Sequence, residues 1–108
     1  MKEYDVTLDL ILRATEKVAD FSLGYDLGKF LEDQKTQSAI IMRLVVIGEL
    51  AKKLPEELKA KIDLPWKLMA GFRDFAVHEY FEIDLKQTWD TASRDVPTVK
   101  EKIETFVQ

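Results

Sequence analysis

Apolar residues along this chain recur at three- and four-residue steps, so the reading is helix after helix. From Asp5 to Phe21, the series Val6, Leu8, Leu10, Ile11, Ala14, Val18 and Phe21 predicts one amphipathic helix. Gly24 and Gly28 weaken the next stretch, which makes Leu23 to Glu32 either a separate short helix or a distorted continuation. Thr36 to Leu54 is the most hydrophobic segment, with Ile40, Ile41, Leu44, Val45, Val46, Ile47 and Leu50 covering most of a helical cylinder. A helix of that kind sits centrally or in a subunit interface. Its β-branched run is strand-like, but its length and the ending Glu49-Leu-Ala-Lys-Lys53 favour helix.

Proline and capping residues divide the remainder. Pro55 with Glu56 and Glu57 reads as a helix first turn, acids lying at the positive end of the dipole. Pro65 opens another helix that runs through Trp66, Met69, Ala70 and Phe72 toward Arg73. Asp84 with Gln87 resembles a capping box. Pro97 interrupts the last helix and places a kink or break near Arg94 to Val96. There is no internal repeat, low-complexity segment, linker or glycine-rich phosphate loop. The fold class expected is all-α.

Composition narrows the function. A chain of 108 residues fits one domain, residues 1–108, with no room for a second. With 46% hydrophobic and 33% charged residues it reads as an ordinary globular protein. The absence of cysteine excludes disulfides and thiolate chemistry and fits a reducing cytoplasm. One histidine and no cysteine leave only carboxylates as further metal ligands, so neither a metal site nor a cofactor is expected. The N-terminus lacks the blocks of a signal peptide, and the longest apolar stretch, Ala39 to Ile47, is too short to span a bilayer and contains Arg43. A cytoplasmic protein without membrane partners is expected. The net charge of −4 gives no global attraction to nucleic acid.

Chemistry concentrates in Arg73-Asp-Phe-Ala-Val-His78-Glu-Tyr80. This run groups a guanidinium fork, the chain's one histidine and a phenol. On an unbroken helix, Tyr80 lies within about 20° of Arg73 while His78 is about 140° away. For Arg73 and His78 to meet at one phosphate, the helix must end near His78, or the second group must come from another chain. Metal-free phosphodiester cleavage suits these groups: histidine moves protons, and arginine stabilises the charged phosphorane. One histidine per chain is too few for a two-histidine scheme, and a homodimer would supply the second.

The stretch Leu64 to Asp84 resembles the motif region of HepT-type toxins of the HEPN superfamily, whose signature is Arg, four to six residues, His, any residue, Tyr. Ile47-Gly-Glu49-Leu-Ala-Lys-Lys53 resembles the segment preceding that motif, and Trp89 with the Asp95-Val-Pro97 turn resembles the segment C-terminal to it. The resemblance covers roughly Ser38 to Ile103, about two thirds of the chain. It implies an up-and-down bundle of four to six helices that dimerises and cleaves RNA without metal. It also implies a partner, a minimal nucleotidyltransferase antitoxin that silences the toxin by transferring AMP to Tyr80. Arg73 and His78 would then be catalytic, with Asp74 and Tyr80 supporting and Tyr80 the AMP acceptor. The family commonly carries Asn after the arginine. The acid here, Asp74, could orient Arg73 or His78 but adds negative charge where RNA should bind.

Asp63, Asp74, Glu79, Glu82 and Asp84 outnumber Lys67 and Arg73 across this segment, an arrangement opposed to phosphate binding. Arg43, Lys52 and Lys53 could line a groove; taken alone, Lys52 and Lys53 read as a solvated helix end. Arg43 and Glu49 read as buried or interfacial partners, and Trp66, Phe72, Phe75 and Trp89 as core. Tyr80 has a plain alternative, packing beside Phe81 and Trp89. The functional expectation is a ribonuclease toxin; the alternative is a catalytically silent member of the same fold that docks the nucleotidyltransferase.

Overall fold

The computed structural model describes residues 3–108. Helix α1 (Glu3–Ser22) buries Leu8, Ile11, Ala14, Thr15 and Val18, a stripe at the helical period. Val6 and Leu10, read from sequence with that stripe, lie about half exposed, because 100° per residue turns them to the other side. Gly24 ends this segment in the left-handed region, at φ 78°. The next stretch is therefore a separate short helix, α2 (Leu27–Leu31), whose first turn is capped by the Asp26 carboxylate accepting from Lys29 N at 2.8 Å.

Asp33 caps α3 (Gln34–Lys52), accepting from Thr36 N at 3.0 Å. Tyr25 Oη donates to the other Asp33 oxygen at 2.5 Å, and Thr36 Oγ1 lies 2.9 Å from that oxygen. These three side chains tie the α1–α2 turn to the start of α3. Tyr25, followed by the Thr36 groups, holds the Asp33 carboxyl down at about 2. Helix α3 takes the central of the two positions its apolar cylinder allows, packing on α1 along one side and on the motif helix along the other.

Pro55 precedes α4 (Glu56–Lys59), with its carbonyl accepting from Leu58 N and Lys59 N. Trp66 at the start of α5 (Trp66–His78) is buried and donates its indole N–H to Lys59 O at 3.1 Å and Ile62 O at 3.0 Å. That forked bond fixes the loop from which α5 departs. A 3-10 turn, Tyr80–Glu82, comes after α5. Asp84 then caps α6 (Leu85–Asp90) through Lys86 N and Gln87 N. A wide π turn at Thr91–Asp95 passes into α7 (Val96–Val107). Pro97 explains the wide turn: it has no N–H for the carbonyl four residues earlier, and its ring crowds that turn. The stretch Arg94 to Val96, where a kink or break is expected, spans the end of the π turn and the first residue of α7.

The four long rods α1, α3, α5 and Leu85–Val107, with the short α2 and α4, make an all-helical bundle among the described residues. Ile40, Phe30, Ile103 and Leu8 are fully enclosed, and the Phe30 and Trp89 rings meet at 5.1 Å. The Cα envelope measures 42 × 29 × 19 Å, so its thin dimension holds about two helix diameters. Helix α5 therefore has one face on α3 and another open. Among the described residues, no helix is long and apolar enough to cross a membrane.

Candidate active site

The crossing of α3 and α5 is set at Gly48. A Cβ there would lie 2.5 Å from Met69 O and 2.6 Å from Arg73 Cβ, so only glycine lets the backbones approach this closely. Close approach brings the last turns of α3 alongside Arg73. The guanidinium is largely covered, and its Nε lies 2.9 Å from Glu49 Oε1. That carboxylate oxygen is buried, and the approach is off the axis of a hydrogen bond, so the contact is an ion pair with poor directionality. Arg73 NH1 donates to Asp74 Oδ1 at 3.0 Å, and Lys52 Nζ reaches the same oxygen at 3.0 Å. Glu49, Arg73, Asp74 and Lys52 form a chain of alternating charge. Lys52, and then Arg73, hold the Asp74 carboxyl below its ordinary range.

The sequence expectations for this region divide. Arg73 and Asp74 are brought together. His78 is the last residue of α5 and is exposed; among the described residues no hydrogen bond or ion pair joins it to Arg73. The helix ends at His78, one of the two conditions the 140° offset required, and Glu79 N–H closes the last turn on Phe75 O at 2.7 Å. Tyr80 begins the 3-10 turn half exposed, its ring edge-on to Phe81 at 5.9 Å rather than beside Trp89. Phe75, read as core, is 45% exposed, because it lies on the outward face of α5 with Leu68. Lys52, read as a solvated helix end, is engaged in the charge chain.

Glu49, read as a buried or interfacial partner, pairs with Arg73, and Lys52, read as a solvated helix end or a groove-lining base, pairs with Asp74. Their one signal was position: the final turns of the helix preceding the motif. Beside the cluster, an apolar cleft of about 500 Å³ runs along α5, lined by Leu44, Ile47, Leu68, Phe72, Phe75 and Val96 among others. Its outer edge carries Leu68, 76% exposed, and Phe81 beyond the helix end is 96% exposed. Among the described residues, no group of three or more His, Cys, Asp or Glu is placed to hold a metal ion.

The all-helical bundle of the described residues agrees with the HEPN-like fold that the resemblance implied. The HepT-like ribonuclease family model matches residues 11–106, and the chain belongs to that family. A relative in Thermococcus cleftensis, named "Probable ribonuclease HepT", is 38% identical over 90% of this chain and 89% of its own. A Methanocaldococcus jannaschii protein named provisionally as an RNase is 39% identical over 91% of this chain and 82% of its own. A second protein of that organism, named as a gamma-glutamylcyclotransferase and provisionally as an RNase, is 34% identical over 94% of this chain, which spans 46% of it. No solved structure matches the chain.

Proposed function

We propose that this ribonuclease-family chain is a metal-independent endoribonuclease toxin, acting in the cytoplasm as a homodimer whose RNA cleft lies between two copies of the α5 end. The observation that carries the reading is the placing of Arg73 and His78 near the end of one helix, within a chain of the HepT-like family. Arg73 faces α3 and His78 faces outward, so a phosphate held by one arginine is best served by a histidine from the facing chain. The exposed Leu68, Phe75 and Phe81 surround His78 in sequence and offer apolar surface for that partner.

In the reaction, His78 of one copy takes the proton of a ribose 2′-hydroxyl. The freed oxygen bonds to the adjacent phosphorus and the bond from phosphorus to the 5′-oxygen breaks. His78 of the other copy protonates the leaving oxygen, and Arg73 stabilises the phosphorane charge. Products are a 2′,3′-cyclic phosphate and a 5′-hydroxyl. Silencing comes from adenylylation by a nucleotidyltransferase antitoxin: the Tyr80 oxygen attacks the α-phosphorus of ATP, pyrophosphate leaves, and the bulky anion repels RNA. The half-exposed Tyr80 is accessible to such a partner.

A second reading is favoured by one observation. Arg73 is already paired with Glu49 and Asp74, as a catalytically silent member that only docks the nucleotidyltransferase would tolerate. Incubating purified unmodified protein and His78→Ala with tRNA in EDTA separates the two. Cutting by the wild type alone supports the nuclease; no cutting, with adenylylation of Tyr80 intact, supports the silent partner.

A further inference from the structure

We propose that Lys52 and Arg73 form a two-cation site for an RNA phosphate, and that the Asp74 carboxylate occupies it as an internal competitor until RNA displaces it. The proposal rests on the ribonuclease reading and deepens it. Two cations from different helices converge on a single oxygen, Asp74 Oδ1, at 3.0 Å each. Their nitrogens are therefore within about 6 Å of each other, a separation at which like charges repel unless an anion lies between them. An anionic phosphate oxygen has the charge and the acceptor geometry that Oδ1 supplies.

Three features make the competitor displaceable. Asp74 is 49% exposed and Lys52 41% exposed, so water can solvate the carboxylate as it leaves. Arg73 retains Glu49 on its Nε side, so its fork stays aimed when the NH1 partner is exchanged. Lys52 sits on a flexible stem at the end of α3 and can track the anion. Lys52 thereby becomes a substrate contact, and the acidic residue beside Arg73 a brake on affinity.

The test measures binding of a fluorescein-labelled 2′-O-methyl RNA oligonucleotide, which has no free 2′-hydroxyl to attack, as a function of salt. Wild type, Lys52→Ala, Asp74→Asn and the control Lys17→Ala are compared after circular dichroism shows each folded. Asp74→Asn is expected to bind about two- to fivefold more tightly, the range spanned by exposed ion pairs, and to lower KM for cleavable RNA. Lys52→Ala is expected to bind more weakly, with a log–log salt slope smaller by about 0.7, one phosphate contact on a single strand. Lys17→Ala, on the exposed side of α1, is expected to keep the wild-type slope.

If the carboxylate instead only scaffolds the cations, Asp74→Asn binds no tighter or binds worse, and the proposal is overturned. A wild-type slope in Lys52→Ala overturns it equally. Parallel cleavage of all-ribose RNA separates the two levels. If no form cuts while the binding shifts appear, the nuclease reading fails and the phosphate site stands; His78-dependent cutting without those shifts removes the phosphate site alone.

Discussion

Replacing Gly48 by alanine adds one methyl group where α3 and α5 meet at backbone distance. The new carbon would meet Met69 O at 2.5 Å and Arg73 Cβ at 2.6 Å, each about 1 Å inside ordinary contact distance. Neither neighbour can swing aside, since one is backbone and the other is fixed to it. Helix α5 must therefore lift off α3, and a gap of that size forfeits a quarter to a half of the dispersion at affected contacts. Overpacking of this kind costs about 1–3 kcal/mol, and the rigid neighbours place this site at the upper end. Alanine's better helix propensity offsets about 1 kcal/mol. A net loss of about 2 kcal/mol is expected, a fall in Tm of about 8 °C or more for a chain of this size. Thermal unfolding monitored at 222 nm measures it. Activity should fall further than stability explains, because Arg73 moves away from Glu49 and Lys52. A Gly48→Ala protein as stable and as active as wild type would refute the reasoning.

Tyr25→Phe removes the main group holding the Asp33 pKa down. Asp33 has a folded pKa near 2 against an ordinary 3.8, so its stabilising contribution is full above 3.8 and lost as pH falls toward 2. The variant should start to unfold at higher pH in an acid titration; superimposed curves would count against the network. Trp66→Phe removes the indole donor shared by Lys59 O and Ile62 O, which keep the backbone N–H of Ile62 and of Leu64, and should cost about 0.5–1.5 kcal/mol in urea unfolding; a loss well under about 0.5 kcal/mol would show that the forked bond matters little. Phe81→Ala should leave the Tm within about 3 °C, since the ring is 96% exposed. In sedimentation it should weaken self-association, and unchanged association would remove Phe81 from the interface.

Helix boundaries were legible because their signals are local. Asp84, Pro55 and Pro97 act within a turn or two of themselves, and each marks a boundary or bend in the structure. Arg73, His78 and Tyr80 were legible as a spaced motif, and α5 ends at His78, one of the two arrangements that the offset of about 140° left open. What the sequence concealed depends on how helices cross. Phe75 has an apolar side chain on an amphipathic helix, yet it lies on the outward face of α5, bordering the open cleft. Lys52 and Glu49 are ordinary helix-end residues until Gly48 lets Arg73 approach. The excess of acids counted along the motif segment also misled in part, because Asp74 is locally balanced by Lys52 from a helix more than twenty residues earlier. A linear charge count cannot register that pairing.

The central claim is that the 2′-hydroxyl of RNA is the nucleophile and that this chain's own side chains activate it without metal. Its most direct measurement is mass spectrometry of the ends produced when purified unmodified protein, in EDTA, meets two matched RNAs, one carrying a single 2′-deoxy residue at the cleaved position. The account predicts 2′,3′-cyclic phosphate and 5′-hydroxyl ends from the all-ribose strand and no cut at the substituted position. Cleavage at the deoxy position, or ends bearing a 5′-phosphate, would contradict it.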